Sequence, residues 1–565
     1  MKKTAIKNLS DHKILLIFSL LWFILNIFQS VYTELANDEA YYWLWSKHLD
    51  WGFYEHPPLV AIFIKIGGLF SSTELGVRLV TTIASTLALY LVYVKLIKKD
   101  VWLYLALITS IFIIHVGSFL TAPDSPLLLF TVLFFIAFKH YLNDDSKKNG
   151  FLITLVITAM MYSKYHGALI IVISFLSNIQ LLKRKSFWLI TFFSLLLYSP
   201  HLYWLFNDGQ AGLTYALSDR FQDSLEINNV INFIAGQLVV FGPLMSVIIF
   251  YTSLKYKSTS PFEKTLKRLI VIMLLYFLVW SLKGAVEANW TATLFVPLIL
   301  LSHRYIQERQ KLRKIVFFLW VPSLLILLLI RVHLMFDILP FTRDQNRGNE
   351  FFGWKEYAER VDSLAQGKPV LVSRYQNASK LWFYRNEKTL SLNTGKRINQ
   401  FYEWSDYQKE LLDSTVLIID GWLLDQHGEI DERGVMTPYQ WVNGYRNYRE
   451  VVLTLEEDFP VELKPGEKLA VKILVTPPSE WCISGRLDTE SPPHLAYGVT
   501  NIESNEMPAW KSGITYFENA LCHDSMMVIN FEAPLVRGNY EVDFNIVTEN
   551  TLFWHSNCRF LFKVN

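Results

Sequence analysis

Long apolar runs fill roughly the first 336 residues of the chain, whereas the remainder mixes polar and apolar residues like a soluble protein. A membrane-spanning helix needs about 20 apolar residues, and fewer where neighbouring helices cover it. The pattern therefore predicts a polytopic α-helical membrane domain with a soluble tail. We predict about eleven spans, near residues 13–32, 74–94, 101–120, 125–142, 150–163, 166–182, 187–206, 231–254, 268–282, 290–303 and 315–336.

The basic residues indicate how these spans are oriented, because loops rich in Lys and Arg stay on the cytoplasmic side. One alternating set of loops holds 23 basic residues. The opposite short loops hold five, which are Lys47, Lys65, Lys164, Arg220 and Lys283. We therefore expect a cytoplasmic N-terminus and C-terminal domains outside the membrane. The first apolar run has no small-residue cleavage site behind it, which favours an uncleaved span over a signal peptide.

Composition agrees with a membrane protein. Of the 565 residues, 52% are hydrophobic and 18% are charged. A soluble protein usually carries about 25% charged residues. The formal net charge of +2 gives no sign of a partner, and no nucleic acid is expected.

The loops on the predicted outer side carry four clusters of ionisable and polar residues. Such groups are costly at the membrane boundary unless they are paired or hydrated, so clusters of them indicate a functional cavity. The clusters are Asp38, Glu39, Glu55 and His56 in the first loop, Asp124 in the second, Lys164 and His166 in the third, and Lys283, Glu287 and Asn289 in the fourth. Their convergence predicts a site for charged chemistry.

Each of these residues also has a purely structural interpretation. Asp124 can cap the helix that follows it, and Lys164 and Lys283 can extend to the membrane interface. Asp38 and Glu39 can stabilise a helix N-terminus, and the aromatic run "YYWLW" can form an interfacial belt. None of these interpretations explains why the charges collect on one side.

The stretch "NDEAYYWLWSKHL…YEHPPLVAIFIKIGGLF…ELGVRL" resembles the first outer loop of polyprenyl-phosphate-sugar glycosyltransferases with the GT-C fold. The resemblance is to the bacterial branch of the dolichyl-phosphate-mannose protein mannosyltransferase family, which includes the aminoarabinose transferase of lipid A. The motifs "TAPDSPLLLF", "SKYHGAL", "VEANWTA", "GWKEYAERV" and "RYQNASKLWFY" follow in the order of that branch. The resemblance extends from about residue 13 to residue 400.

The resemblance implies an enzyme that moves a sugar from a polyprenyl (undecaprenyl) phosphate to an acceptor outside the membrane, with inversion. The acceptor can be a glycolipid such as lipid A, a polysaccharide or a protein. A positioned carboxylate can act as general base toward the acceptor hydroxyl. The resemblance gives that role to Asp38 and the second acidic position to Asp124, with Glu39 as a third catalytic candidate.

The departing phosphate needs cations or hydrogen-bond donors, because charge builds on it in the transition state. In the aminoarabinose branch a lysine before the paired prolines contacts phosphate, but His56 occupies that position here. This departure shifts the expected phosphate contacts to other basic residues. They are Lys164, His166, Lys283 and Arg331, the last of which lies inside the final apolar run. Arg331 can equally extend to the outer interface.

The substrate pocket is expected to draw on the same loops. Pro58 holds Pro57 extended, so a helix can start at the second proline. The predicted pocket residues are Tyr41, Tyr42, Glu55, Tyr165, Glu287, Asn289 and Trp290. No cofactor is implied with certainty, although a divalent metal would suit carboxylates beside a phosphate. Its candidate ligands are Asp38, Glu39, His56 and Asp124.

The soluble tail divides by pattern into two domains that follow a membrane domain of residues 1–337. In residues 338–445, "GWKEYAERVDSLAQG" and "NASKLWFYR" predict helices, whereas "PVLVSRY" and "STVLIID" predict strands, which indicates an α/β unit. In residues 446–565, strands separated by turns predict a β-sandwich or jelly roll that either binds a ligand or only covers another domain. Cys482, Cys522 and Cys558 lie in this last domain, and their spacing does not determine a disulfide.

Two other classes of function deserve comparison. A transporter or flippase of lipid-linked sugars would carry polar groups near the bilayer midplane and show repeated halves. Here the charges lie at the outer face, and no internal repeat is found. A sugar sensor would not require acidic residues in the first two outer loops. We therefore favour a glycosyltransferase of a bacterial inner membrane with a periplasmic site.

Overall fold

The computed structural model of the chain consists of two compact units, Met1–Phe352 and Gly353–Asn565. The described residues are 10–207, 209, 225–339, 350–392, 399–404, 410–411, 414–420, 426–445, 451–477, 494–502, 510–516, 523–547 and 558–565.

The first unit is helical throughout its described part. Its helices are α1 (Asp11–Tyr32), α2 (Asn37–Lys47), α3 (Leu59–Gly67), α4 (Glu74–Leu91), α5 (Val101–Ile108), α6 (Phe112–Gly117), α7 (Asp124–Asn143), α8 (Lys147–Ser163), α9 (His166–Leu176), α10 (Lys185–Asn207), α11 (Ile227–Val240), α12 (Ser246–Lys255), α13 (Pro261–Trp280), α14 (Phe295–Ile306) and α15 (Gln310–Phe336). A π-helical segment, Val92–Ile97, continues α4, and 3₁₀ turns form at Ile179–Lys183 and Ala288–Leu294.

Among the described residues, five helices are long and apolar enough to cross a membrane. They are α1, α4 with its π-helical extension, α7, α10 and α15. Helices α9, α11 and α12 are apolar but shorter. The predicted polytopic helical architecture is confirmed, whereas the number of about eleven spans stays a prediction.

Helix α14 lies in the interior of this unit. Nine consecutive residues, from Phe295 to His303, are buried, as expected for a helix that is apolar on all sides. Helix α5 is similar, because seven of its eight residues are buried. By contrast, only 22% of the apolar window of α15 is buried. Short helices therefore form much of the interior, and long helices expose apolar side chains.

Two glycines allow α3 and α4 to cross closely. A Cβ atom on Gly76 would lie 1.8 Å from the Ser71 carbonyl oxygen, and one on Gly67 would lie 2.1 Å from the Gly76 carbonyl oxygen. Only glycine permits backbones to approach so closely. This crossing holds α3 beside the N-terminal half of α4, which carries a buried arginine of the site described below.

The second unit begins with a mixed five-stranded sheet. Its strands are β1 (Val370–Val372), β2 (Thr389–Ser391), β3 (Val416–Ile419), β4 (Gly428–Glu432) and β5 (Val435–Val442), in the order β2-β1-β3-β5-β4. The first three strands are parallel, and β5 pairs antiparallel with both β3 and β4. Helices α16 (Trp354–Ala365), α17 (Tyr375–Arg385) and α18 (Gln400–Glu403) accompany this sheet. The predicted α/β character is confirmed.

The last part of the chain forms two further sheets. One has the order β10-β9-β12-β13-β7 and the other β11-β8-β6. The strands are β6 (Val452–Leu455), β7 (Glu462–Leu463), β8 (Lys468–Thr476), β9 (His494–Asn501), β10 (Trp510–Tyr516), β11 (Ser525–Glu532), β12 (Gly538–Val547) and β13 (Cys558–Val564). Phe459 packs between the sheets, with its ring 5.2 Å from that of Phe531 and 5.8 Å from that of Phe544. The predicted β-sandwich character is confirmed, and the boundaries at 337 and 445 stay predictions.

Cys558 is buried in β13. Burial raises the pKa of its thiol to about 12, so the thiol stays protonated at neutral pH. Cys482 and Cys522 lie outside the described residues, and the disulfide pairing stays a prediction.

Candidate active site

Asp38 lies in the first turn of α2, and its side chain is exposed. The helix begins at Asn37, whose backbone N–H donates to Glu350 Oε1 at 2.8 Å. A carboxylate in the first turn of a helix interacts favourably with the helix dipole. Asp38 is therefore an accessible carboxylate on an ordered helix end.

Its neighbour Glu39 has the opposite environment and is fully buried. Oε1 accepts hydrogen bonds from Arg78 Nε at 2.9 Å and from the Thr121 backbone N–H at 2.8 Å. Oε2 accepts from Arg78 Nη2 at 2.5 Å and from the Ala36 backbone N–H at 2.9 Å. Both oxygens are engaged, so the geometry favours a positioning role for Glu39 over the catalytic role predicted from the sequence.

Arg78, on α4, completes this buried ion pair. Besides its two bonds to Glu39, its Nη1 donates to the carbonyl oxygens of Ser30 at 3.2 Å and Thr33 at 2.5 Å, and its Nη2 donates to that of Glu34 at 2.9 Å. A guanidinium has five N–H groups, and these bonds use all five. The pair therefore fixes the end of α1 and the start of α2 against α4.

The same pair reaches the second predicted outer loop through Thr121. The Thr121 hydroxyl donates to the Val77 carbonyl oxygen at 3.0 Å and lies 2.8 Å from the Thr81 hydroxyl. Three residues later, Asp124 begins α7. The contact with Glu39 thus ties the loop that carries Asp38 to the loop that carries Asp124.

Asp124 binds residues from two other predicted outer loops. Lys164 Nζ lies 3.0 Å from Asp124 Oδ1 and 2.8 Å from Oδ2. Asn289 Nδ2 donates to Oδ2 at 2.9 Å. The Lys164 side chain is 5% exposed and that of Asp124 is 19% exposed, so the pair is shielded yet reachable at one edge. Three of the four predicted loops meet at this carboxylate.

Helix α11 supports the segment that carries Asn289. The Gln237 side chain accepts from the Thr291 hydroxyl and donates to the Ala288 carbonyl oxygen at 3.4 Å. On the other side, the Trp290 ring lies 4.8 Å from the His166 ring. The amide that contacts Asp124 is therefore held from two directions.

Glu55 and His56 occupy a tight turn before α3. Phe53 and His56 exchange two backbone hydrogen bonds, at 3.0 and 3.2 Å. The Tyr41 hydroxyl donates to Glu55 Oε2 at 3.3 Å, and the ring of His56 lies 6.3 Å from that of Tyr42. The aromatic residues of α2 thus pack beneath the turn, and Glu55 and His56 are half-buried at its surface.

Arg331 lies in a different, fully buried cluster. Its Nε donates to Gln29 Oε1 at 3.0 Å, and its Nη2 donates to Asn26 Oδ1 at 2.6 Å. Its guanidinium also faces the rings of Trp22 and Phe119, at 5.4 and 5.3 Å. These contacts join α15 to α1 and favour a packing role over the phosphate contact predicted from the sequence.

The remaining predicted residues lie nearer the surface. Lys283 and Glu287 are exposed in the segment before Asn289. Tyr165 is 38% exposed and follows Lys164 directly in the chain. Their predicted roles stay predictions.

A metal site is not assembled by the part of the chain that the structure describes. No three His, Cys, Asp or Glu side chains there form a group that could hold a metal ion. Of the candidate ligands, Glu39 is bound to Arg78 and Asp124 to Lys164. Each of these two carboxylates therefore forms an ion pair with a basic side chain of the protein.

Comparisons with known proteins concern the family and the fold of the chain. A family model described as dolichyl-phosphate-mannose-protein mannosyltransferase matches residues 55–204. That range includes Arg78, Asp124 and Lys164. No curated protein matches the chain at a significant level.

Two solved structures of ArnT from Cupriavidus metallidurans have a similar fold. The apo structure superposes with a TM-score of 0.54 at 11% sequence identity, and the match covers 73% of this chain and 93% of that chain. The structure bound to undecaprenyl phosphate superposes with a TM-score of 0.51 at 12% identity, with 72% and 92% covered. At these identities the likeness concerns the fold.

The fold and the family match together define the class of protein. The chain is a helical protein with the GT-C fold and several apolar helices of membrane-spanning length, as the motifs predicted. It resembles the mannosyltransferase family named above over residues 55–204.

Several residues of the site were not found from the sequence. Arg78 lies inside a predicted span, where a single arginine suggests contact with the interface rather than a buried ion pair. Gln237 also lies in an apolar run, and its neighbours give no sign of a polar partner. The burial of a charged or amide side chain in such a run is the signal that could have indicated both.

Proposed function

We propose that this protein moves a sugar from a polyprenyl phosphate, such as undecaprenyl phosphate, to an acceptor on the outer side of a bacterial inner membrane. Support comes from the GT-C fold, shared with an ArnT structure that holds undecaprenyl phosphate, and from the polar cluster at the loops. The acceptor is a glycolipid such as lipid A, a polysaccharide or a protein. The N-terminus lies in the cytoplasm and the second unit in the periplasm, as the distribution of basic residues indicates.

One observation carries the assignment of the base. Of the three carboxylates considered catalytic, only Asp38 has an exposed side chain, whereas Glu39 is saturated by Arg78 and Asp124 is paired with Lys164. An exposed carboxylate can reach an acceptor hydroxyl and is suited to accept its proton. Asp38 is thus the general base.

The reaction follows from these positions. Asp38 removes the proton of the acceptor hydroxyl while its oxygen attacks the anomeric carbon. The bond from that carbon to the phosphate oxygen breaks on the opposite face, and the electron pair leaves with the polyprenyl phosphate. The configuration at the anomeric carbon inverts.

Lys164 stabilises the departing phosphate. Its ammonium has three N–H groups and touches two oxygens of Asp124, so a further donor can face the leaving group. Asp124 and Asn289 hold this cation at the edge of the cluster. His56 and His166 are second candidates for phosphate contact.

Glu39 and Arg78 act as positioning residues. They touch the loops of Asp38 and Asp124 at the same time, so they set the distance between base and phosphate site. An error of about 1 Å in such a distance can cost about 100-fold in rate.

The direct test is transfer by the purified, detergent-solubilised protein from synthetic polyprenyl-phosphate sugars to candidate acceptors. Release of polyprenyl phosphate that requires an acceptor, with product of inverted configuration, is the expected result. A protein that binds the lipid but releases no polyprenyl phosphate with any acceptor would contradict the proposal and favour a transporter.

A further inference from the structure

The far end of the first outer loop is attached to α10. Asp50 Oδ2 accepts a hydrogen bond from Trp204 Nε1 at 3.1 Å, and the backbone oxygen of Trp51 lies 2.6 Å from His201 Nδ1. A Cβ atom on Gly52 would lie 2.1 Å from the Trp204 ring. Three consecutive loop residues thus dock on one face of α10.

His201 also reaches the third outer loop. Its Nε2 lies 3.3 Å from the Tyr165 hydroxyl, and the side chain is fully buried. Because a carbonyl oxygen can only accept, Nδ1 of a neutral imidazole must carry the proton. Nε2 is then an acceptor, so the Tyr165 hydroxyl donates to it.

This arrangement fixes what Tyr165 can offer to a ligand. The phenol has one proton, and it donates that proton to His201. Toward a ligand, the phenol oxygen can therefore only accept a hydrogen bond. Desolvation of the hydroxyl raises the pKa of Tyr165, and the phenol therefore stays neutral. The residue as a whole is 38% exposed, and Lys164, the neighbouring residue, holds Asp124. The phenol oxygen of Tyr165 therefore lies in the same short loop as Lys164, the proposed phosphate contact.

We propose that Tyr165 binds a sugar hydroxyl through its phenol oxygen, and that His201 is the positioning residue that sets this polarity. The inference rests on the proposed function, since it names a sugar contact of the same site. The hydroxyl belongs to the sugar of the donor lipid or to the acceptor glycan. The chemistry is the same in both cases, and the measurements below separate them.

The test uses the full-length protein with two single variants. Tyr165→Phe removes the oxygen and keeps the ring. His201→Asn keeps a donor toward the Trp51 carbonyl and removes the contact with Tyr165. Tyr162→Phe is the matched control, because the Tyr162 hydroxyl donates to the Leu197 backbone carbonyl at 3.0 Å.

Two measurements are made on each variant: the affinity for the polyprenyl-phosphate sugar against that for bare polyprenyl phosphate, and the KM for the acceptor. One hydrogen bond contributes about 3- to 10-fold to binding. If the partner is the donor sugar, Tyr165→Phe weakens binding of the sugar-bearing lipid by that factor and leaves bare polyprenyl phosphate unchanged. If the partner is the acceptor, the acceptor KM rises instead.

The double variant decides whether His201 acts through Tyr165. Because both changes remove the same contact, the double variant should lose no more than either single variant. Additive losses, or Tyr165→Phe equal to Tyr162→Phe in both measurements, would overturn the proposal. Failure of the proposed function looks different, because the wild type would then release no polyprenyl phosphate with any acceptor.

Discussion

At the scale of single residues, the neighbouring carboxylates Asp38 and Glu39 have opposite environments. Asp38 is exposed and Glu39 is buried in a bidentate pair with Arg78. A buried charge that loses its partner is strongly destabilising, whereas a surface change is nearly neutral. We therefore expect Asp38 to affect activity and Glu39 to affect stability.

Glu39→Gln should lower the free energy of unfolding by about 3–5 kcal/mol, because Arg78 would keep a buried charge without an anionic partner. Asp38→Asn is the matched control and should change it by no more than about 0.5 kcal/mol. Unfolding of both variants in detergent measures this. Equal stability of the two would contradict the positioning role of Glu39.

Lys164→Gln should weaken the affinity for polyprenyl phosphate by about 10- to 100-fold, because a hydrogen bond to a charged group contributes about 1.5–3 kcal/mol. Lys283→Gln, at the exposed lysine of the fourth predicted outer loop, is the comparison and should change the affinity less. Titration of the lipid into each variant gives the comparison. A stronger effect at Lys283 would move the phosphate site to the fourth loop.

At the scale of helices and strands, close backbone contact positions the loops. Gly76→Ala should destabilise the protein by about 1–3 kcal/mol, because the added methyl group would meet the Ser71 carbonyl oxygen. Gly150→Ala, in α8, has no atom within 4 Å of the added group and should be neutral or stabilising by up to about 1 kcal/mol. Thermal unfolding of both variants distinguishes a steric effect from a general effect of alanine.

The sequence predicts long elements well and interior elements poorly. Helices α1, α7 and α15 are apolar runs of spanning length, so hydropathy alone locates them. The segment predicted as a span at 290–303 forms a 3₁₀ turn, Ala288–Leu294, followed by the buried α14. Periodicity cannot separate a short buried helix from a membrane span.

The site shows the same limit. Motifs indicated Asp124, Lys164 and Asn289 as members of the site. They did not indicate that Asp124 binds both Lys164 and Asn289. The hairpin of β4 and β5 was missed because Pro438 and the polar residues of β4 weaken the strand signal. Pairings between distant segments depend on tertiary packing, which a single sequence does not encode locally.

At the scale of the whole molecule, the two units have different cores. The first buries an apolar helical interior, and the second closes its own sheets around aromatic residues such as Phe459 and Phe531. A unit with its own core can fold alone. We expect the fragment Gly353–Asn565 to be soluble and to unfold cooperatively, as monitored by circular dichroism. Aggregation without a cooperative transition would show that it depends on the first unit.

Asp38 is the residue that we propose removes the acceptor proton, at a site facing away from the cytoplasm. The most direct measurement compares sugar transfer and donor binding in wild type, Asp38→Asn and the control Asp145→Asn, an exposed aspartate between α7 and α8. Loss of a general base costs about 100- to 10,000-fold in rate. We predict that loss for Asp38→Asn alone, with donor affinity unchanged. Full transfer by Asp38→Asn would contradict the account.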